Sequence, residues 1–343
     1  MEANRREFLQ GLGVGAAALL VPGLAGARRP EIPVDAESGV RRLWGTLTEA
    51  QRRIIAFDWD HVDAERGLLR THVSNNWSVT RPRLRDDFYT PEQRALAREI
   101  FEALVSPDWL ERFDRQQEDD GGGFGRYQNL AIFGDPEAGP FELVMTGPHM
   151  TLRCDGDSAD HVAFGGPIFY GHSPGTWWSG GFVERASHPG NVFWPQAVEA
   201  NALFDMLDGP QREQAVLPRP VSEYEIAFPA PERGRPERGL AVSALSPDQR
   251  AEMQRVLGVL LEPFRTRDRD EVVGALSRQG GLDRCRVSFF ENWYRRGDDD
   301  WDSFRIEGPA FVWHFRGAPH VHVWAHVASD PSVEANAEGL ETS

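Results

Sequence analysis

Polar and apolar residues alternate strictly over one stretch near the C-terminus of the chain. The apolar residues within 321–327 alternate with His320, His322, Trp324 and His326. Because successive side chains of a β-strand point to opposite faces, this period-two pattern predicts a strand with one apolar face and one face that carries histidines. We take this strand as the element around which the rest of the chain is organised.

The pattern upstream predicts helices followed by strands. Thr90, Pro91 and Gln93 form a typical helix start, and the apolar stripe of that helix continues to Leu104. A second helix is predicted from about 107 to 118, where three consecutive glycines follow. The same reasoning places strands at 127–133, 141–146, 149–154 and 162–170, and a helix at 195–207.

The same order of signals returns later in the chain. Residues 245–250 repeat the capping pattern of residues 90–94, and two helices, a glycine stop and strands at 285–292, 304–307 and 311–315 follow. The chain is therefore predicted to be an α+β protein built from a duplicated helix–helix–strand unit, with an antiparallel or mixed sheet flanked by helices. Packing of the two copies about a pseudo-dyad would bring the strand of His149 beside the histidine strand.

These patterns divide the chain into six segments. They are a signal peptide over 1–27, a flexible lead-in over 28–46, a first α+β half over 47–208, a proline-rich linker over 209–240, a second α+β half over 241–328 and a disordered tail over 329–343.

The N-terminal segment has the three regions of an export signal. Arg5 and Arg6 precede Phe8 and Leu9, and a glycine- and alanine-rich apolar run leads to Ala27. This order is typical of a twin-arginine signal with cleavage after Ala27. We therefore expect the twin-arginine export machinery as a partner, a periplasmic or secreted location, and no membrane segment in the mature chain.

Composition narrows the possible classes of function. The 343 residues are 40% hydrophobic and 26% charged, which is typical of a soluble globular protein. All 37 basic residues are arginine, so lysine Schiff-base chemistry and a P-loop lysine are excluded. The net charge of −16 argues against a nucleic-acid partner. Cys154 and Cys285 are the two cysteines, and the sequence leaves open whether they form a disulfide.

His320 and His322 are the strongest candidates for chemistry. Two imidazoles at i and i+2 on one face of a strand lie about 6–7 Å apart, so that one metal can bridge them. We expect further ligands from His149 and His172, which each follow a glycine-containing turn. Copper and zinc both suit imidazole ligands, and the spacing does not choose between them. Solvated or hydrogen-bonded histidines without a metal are the alternative.

A substrate site is predicted next to this metal. Trp324 shares the histidine face and could stack on a sugar or another planar small molecule. His326 lies further along the same face, and Asn76 belongs to a weakly alternating polar stretch in the first half. These three residues are our candidates for contacts with a small-molecule ligand.

Several short motifs resemble one bacterial family. They are residues 131–136, Gly147-Pro148-His149 with the three residues that follow, residues 166–171, and Gly308-Pro309 before His320-Val321-His322. Over most of the chain from about residue 45 onward, this pattern is similar to the domain-of-unknown-function family numbered thirty-five hundred. The family pattern has Gly-His-His where this chain has Gly147-Pro148-His149. The resemblance implies that the histidine positions matter, and it implies no particular activity.

The sequence therefore predicts an exported metal-binding protein with a histidine-lined cleft. Metal-dependent hydrolysis is the first reaction class we expect, because a bound metal can polarise a substrate or activate water. A non-catalytic periplasmic protein that binds a metal or small ligand is the main alternative, followed by a copper-dependent oxidoreductase. A carbohydrate-binding module would instead present a flat tryptophan surface. Glu142 and Glu307 are the carboxylates closest in sequence to the Gly-Pro turns, although no general base is assigned.

Overall fold

Capped helices surround a large sheet in this protein. The computed structural model describes residues 35–156, 158–159, 161–173, 184, 190–219, 221–228, 238–291 and 300–337. Within these ranges there are eight α-helices, which we number α1 to α8 in chain order: Ala36–Thr46, Glu49–Ile55, Pro91–Leu104, Leu110–Gly121, Pro195–Asp205, Gly209–Ala215, Pro247–Leu261 and Thr266–Arg278.

Four of these helices begin with the same reciprocal cap. In α2, α3, α6 and α7 the N-cap side chain accepts a hydrogen bond from the backbone N–H of a glutamine three residues later. The side chain of that glutamine accepts a hydrogen bond from the backbone N–H of the N-cap residue in return. Such a capping box satisfies two backbone donors that the first helical turn leaves without partners. The Thr-Pro-x-Gln and Ser-Pro-x-Gln patterns therefore fix where α3 and α7 start, as the sequence predicted.

Fifteen strands are present in the described ranges, β1 to β15 in chain order. Their bounds are Ala56–Phe57, Val62–Asp63, Gly67–Leu68, His72–Val73, Asn129–Gly134, Phe141–Gly147, Met150–Cys154, Ile168–His172, Val216–Leu217, Leu240–Ala241, Arg286–Phe290, Ser303–Gly308, Phe311–Arg316, Val321–Val327 and Asn336–Ala337. Eleven of them form one mixed sheet in the order β1-β5-β6-β7-β8-β14-β13-β12-β11-β10, with β9 paired to β11.

The order of strands in the large sheet is similar when it is followed from either end. Strands β5 to β8 form one antiparallel run, β11 to β14 form another, and the two runs meet where β8 pairs antiparallel with β14. At the outer ends β1 runs parallel to β5, and β9 runs parallel to β11. The predicted α+β class with a mixed sheet flanked by helices is therefore present. The histidine strand β14 lies at the centre of the sheet.

Both faces of β14 are covered. Its valines and Ala325 belong to the large core between the sheet and the helices. On the other face Trp324 packs in a second cluster with Phe169, Ile226 and Phe228. Ile226 and Phe228 come from the segment 221–228, which covers this face and contains no strand. Every residue of β14 is buried. The histidine face of β14 is therefore part of the interior.

The structure differs from several predicted boundaries. The lead-in contains helix α1, whose buried side includes Val40 and Leu43, and the proline-rich linker contains α6 and β9. The described part of the tail includes β15, which pairs with β4. The strand predicted at 162–170 begins only at Ile168, because a 3-10 turn occupies Ala163–Gly165. These segments bury apolar side chains whose sequences have no clear period.

Three further predictions concern the termini and the cysteines. The signal peptide over 1–27 lies outside the described residues. Among the described helices, none has the length and apolar character that crossing a membrane requires. Cys154 and Cys285 are both free and buried, so the disulfide that the sequence left open is not formed. Burial raises the pKa of the Cys285 thiol to about 12.

Candidate metal centre

Three imidazole rings meet beside the centre of the sheet. The Nε2 atom of His322 lies 2.8 Å from Nε2 of His320 and 3.2 Å from Nε2 of His149. Each ring offers one nitrogen, and these atoms all lie within 4.8 Å of one another, which is close enough for one metal ion. The described part of the chain contains this one group of histidine, cysteine or carboxylate ligands that could hold a metal. We call it the histidine triad.

His149 reaches the triad from the hairpin turn between β6 and β7. Pro148 and His149 are the two residues between the paired ends of these strands, and His149 has a positive φ of 49°. Proline followed by a residue with positive φ is the pattern of a type II turn, where glycine is usual at the second position. Asn76 Oδ1 accepts a hydrogen bond from the backbone N–H of His149 at 3.2 Å and supports this conformation.

Gly171 makes room for the His149 ring. It is the partner of His322 in the β8–β14 pairing, so these two residues face the same side of the sheet. A Cβ atom at position 171 would lie 3.2 Å from Cδ2 of His149 and only 2.2 Å from the carbonyl oxygen of Val321. The absence of a side chain at Gly171 therefore allows the turn and the two strands to approach each other closely.

Two carboxylates bind the far nitrogens of the triad. Nδ1 of His149 lies 2.9 Å from Oδ2 of Asp120, and Nδ1 of His322 lies 2.7 Å from Oε2 of Glu223. Asp120 is fixed in turn by the backbone N–H of Ser173, which donates to its Oδ1 at 2.6 Å. A carboxylate at the second ring nitrogen of a histidine is usual around metal sites, where it orients the ring.

Burial keeps two of the three rings neutral at ordinary pH. Burial, together with Arg316, lowers the pKa of His322 to about 3. Burial and the two neighbouring histidines also lower the pKa of His320 well below its usual range. Burial alone would raise the pKa of Glu223, but His322 and Arg316 outweigh it and hold that pKa below normal. Neutral imidazole is the form that binds a metal, so the electrostatics suit such a site.

His320 forms the more open side of the triad. Its ring is partly exposed, whereas His149 and His322 are buried. It follows the turn between β13 and β14, and Arg316 donates hydrogen bonds from Nη1 to the carbonyl oxygens of Ala318 and His320, the latter at 2.9 Å. The turn that carries His320 is thus held from one side by an arginine.

His172, predicted as a ligand, lies on the opposite side of the sheet. It is the neighbour of Gly171 on β8, so its side chain points away from the triad and towards the helices. Its Nδ1 lies 2.5 Å from Glu184 and its Nε2 lies 3.0 Å from Asp119. Burial alone would lower the pKa of His172, but these carboxylates raise it. His172 anchors the end of α4 to the sheet and is not placed to join the other three histidines.

The predicted substrate residues do not form an exposed surface. Trp324 is 0% exposed and donates from Nε1 to Glu223 at 3.1 Å. His326 is 1% exposed and stacks on Phe228 with the ring centroids 4.1 Å apart. Both were predicted as contacts with a small-molecule ligand, and in the structure both are enclosed within the protein. Asn76 is exposed and touches the triad through the backbone of His149.

Glu142 and Glu307 bind arginines elsewhere. Glu142 forms buried ion pairs with Arg153 at 2.8 Å and Arg70 at 3.3 Å, and Glu307 pairs with Arg305 at 2.8 Å. The residues that sequence analysis missed are Asp120, Glu223 and Arg316. Asp119-Asp120 before the glycine stop of α4 was the one visible signal, whereas nothing in the local pattern singles out Glu223.

Comparisons with known proteins identify a family and no closer relative. No curated protein and no solved structure matches the chain. The family model that is described as "Protein of unknown function (DUF3500)" matches residues 34–329, as the resemblance predicted. The chain therefore belongs to this family.

Proposed function

We propose that the protein binds a transition metal, zinc or copper, through His149, His320 and His322. The observation that carries this proposal is the contact between His149 and His322. Each ring directs Nδ1 at a carboxylate, and an imidazole that carries a single proton keeps it on the nitrogen that faces such an acceptor. Their Nε2 atoms then face each other at 3.2 Å with two lone pairs and no proton between them. A cation between the rings converts this repulsion into attraction.

We propose that the metal serves hydrolysis rather than storage. Three protein ligands that leave a position for water or substrate are typical of catalytic zinc, whereas structural sites have four protein ligands. His172, the expected fourth ligand, is on the other face of the sheet, and His320 leaves the centre partly accessible. A metal held by these three histidines would lower the pKa of a bound water and polarise a substrate carbonyl or phosphoryl group. A carrier protein without chemistry is the alternative outcome.

The test is metal analysis of purified protein and a matched pair of variants. We expect about one equivalent of zinc or copper in the wild type and a loss of at least tenfold in metal affinity in His322→Ala, because a ligand is removed. His161→Ala removes an exposed histidine and should retain the metal. An electron paramagnetic resonance signal from the loaded protein would identify copper. Wild-type protein without any stoichiometric transition metal would disprove the proposal.

We propose that the protein is exported before it acts. The support is the run from Arg5 to Ala27, which fits a twin-arginine signal. Twin-arginine export carries folded proteins, so the metal could be inserted before transport. Protein for the metal analysis should therefore come from the native export route. Protein that acts in the cytoplasm with residues 1–27 intact would contradict this step.

We also propose that the first and second halves are copies of one unit. The support is the order of the sheet and a repeated contact between capping boxes. Gln51 donates to Gln93 at 2.8 Å in the first half, and Gln211, from the segment predicted as a linker, donates to Gln249 of the second half at 2.9 Å. We expect double-mutant cycles on these pairs to give coupling energies that agree within about 0.5 kcal/mol. Coupling in one pair and none in the other would argue against equivalent units.

A further inference from the structure

One carboxylate of the segment 221–228 contacts three side chains next to the histidine triad. Glu223 accepts hydrogen bonds from Nε1 of Trp324 at 3.1 Å and from Nη2 of Arg316 at 3.2 Å, and its Oε2 lies 2.7 Å from Nδ1 of His322. Glu223 belongs to no strand of the sheet, whereas all three partners do. The segment 221–228 therefore contributes to the triad as well as covering the sheet.

Two residues compete for the same nitrogen of His322. Nη2 of Arg316 also lies in close contact with Nδ1. A guanidinium can only donate, so Arg316 favours a lone pair on Nδ1 and a proton on Nε2. An ionised carboxylate can only accept, so Glu223 favours a proton on Nδ1 and a lone pair on Nε2. These two arrangements are the two tautomers of one neutral ring.

Only one of these tautomers can hold a metal at the centre of the triad. Nε2 of His322 is the atom that faces both His149 and His320. With a proton on Nε2, the ring donates a hydrogen bond to one of these histidines and has no lone pair for a cation. With the proton on Nδ1, the lone pair of Nε2 points at the shared centre.

We propose that Glu223 is the positioning residue that selects the metal-binding tautomer of His322. Glu223 keeps the proton of His322 on Nδ1, although Arg316 favours the other tautomer. Arg316 still donates to the carbonyl oxygens of Ala318 and His320 and so stabilises the turn that carries His320. The ring stays neutral in both tautomers, so the selection moves a proton between two atoms of one residue and requires no change in net charge. The link to metal binding rests on the proposed function, whereas the tautomer itself does not.

The tautomer is measured directly by nitrogen NMR on the full mature chain with ¹⁵N-labelled histidine. The signals of His322 are assigned by comparison with His322→Gln. We expect the metal-free wild type to carry the proton on Nδ1. In Glu223→Gln the side-chain amide can donate to Nδ1, so we expect the proton to move to Nε2 and zinc affinity to fall about 10- to 100-fold. Glu142→Gln is the matched control, since it also removes one charge from a buried Arg–Glu pair.

The outcomes separate this inference from the proposed function. A wild-type proton on Nε2 overturns the inference, even if Glu223→Gln cannot be purified folded. Unchanged tautomer and zinc affinity in Glu223→Gln, or an equal loss of affinity in Glu142→Gln, also overturns it. If the tautomer moves as expected while wild-type protein binds no zinc or copper, Glu223 has the proposed role and the proposed metal function is wrong.

Discussion

At the scale of single residues, His149 combines a strained backbone with a buried ring. A residue other than glycine in the left-handed region is destabilised by about 1–2 kcal/mol, because its Cβ crowds the following carbonyl oxygen. The turn keeps this conformation through the hydrogen bond to Asn76 and the antiparallel pairing on either side. Strain of this kind concentrates at functional sites, where the surrounding structure maintains it. The positive φ of His149 therefore supports the proposal that its ring binds a metal.

We expect His149→Gly to be more stable than His149→Ala by about 1 kcal/mol, because both lose the ring and only alanine keeps the strained Cβ. Both variants should lose metal binding. Urea unfolding of the two metal-free variants measures the difference. The same pair of substitutions at His161, which is not among the residues with positive φ, should show no advantage for glycine. Equal stability at position 149 would mean that the turn is not strained.

At the scale of elements, the triad depends on how closely β14, β8 and the β6–β7 turn approach one another. Gly171 permits this approach because a methyl group there would meet the backbone of Val321 and the ring of His149. The carbonyl oxygen of His149 also accepts a hydrogen bond from the backbone N–H of Gly171 at 3.1 Å. The two strands and the turn are thus joined directly around the histidine triad.

Gly171→Ala should therefore destabilise the fold by about 1–3 kcal/mol and weaken metal binding, since the new methyl group displaces either β14 or the His149 ring. Gly258→Ala is a suitable control, because a Cβ there meets nothing within 4 Å and alanine favours the helix by about 1 kcal/mol. Thermal unfolding and zinc titration of both variants provide the comparison. Unaltered zinc affinity in Gly171→Ala would show that the close approach is not needed for the ligands.

Sequence analysis recovered part of this arrangement and missed the rest for identifiable reasons. His320 and His322 were found because a strand displays its faces in the local order of residues. His172 was assigned to the triad because its strand was predicted to end at Tyr170, which hid the alternation between Gly171 and His172. Asp120 and Glu223 contact histidines that lie 29 and 99 residues away in sequence, and periodicity carries no information on such contacts.

At the scale of the whole molecule, histidines outside the triad also lie inside the protein. His314 and His326 are both buried in the sheet, and burial lowers the pKa of each to about 3. A histidine with a lower pKa when folded binds fewer protons in the folded than in the unfolded protein between pH 3 and 6.5. The free energy of unfolding therefore falls as the pH decreases through this window.

His326→Phe should reduce this dependence on pH. Phenylalanine can keep the stacking on Phe228 and cannot be protonated, so we expect a stability near that of the wild type at pH 7 and a gain relative to it of about 2 kcal/mol at pH 5. Guanidinium unfolding at several pH values measures the change. His161→Gln should not change how the free energy of unfolding depends on pH, because His161 is exposed. If the free energy of unfolding changes with pH in the same way in His326→Phe and in the wild type, burial does not lower the pKa of His326.

The fold class was more predictable from the sequence than the boundaries of the individual segments. Strong capping signals and two-residue periods gave the main helices and strands of both halves. Helix α1 and the segment 221–228 were predicted as loose, because proline- and arginine-rich stretches hide the apolar residues that they bury. The segment 221–228 is the more important omission, since it brings Glu223 to the sheet.

The pairing of β8 with β14 has one more consequence. A ligand from the first half and two from the second meet at this junction, so a cation bound there would cross-link parts of the chain that are some 170 residues apart. Metal loading and the joining of the two sheet halves would then be one thermodynamic event. A chelator would lower the resistance of the entire sheet to unfolding, even where no strand touches the ion.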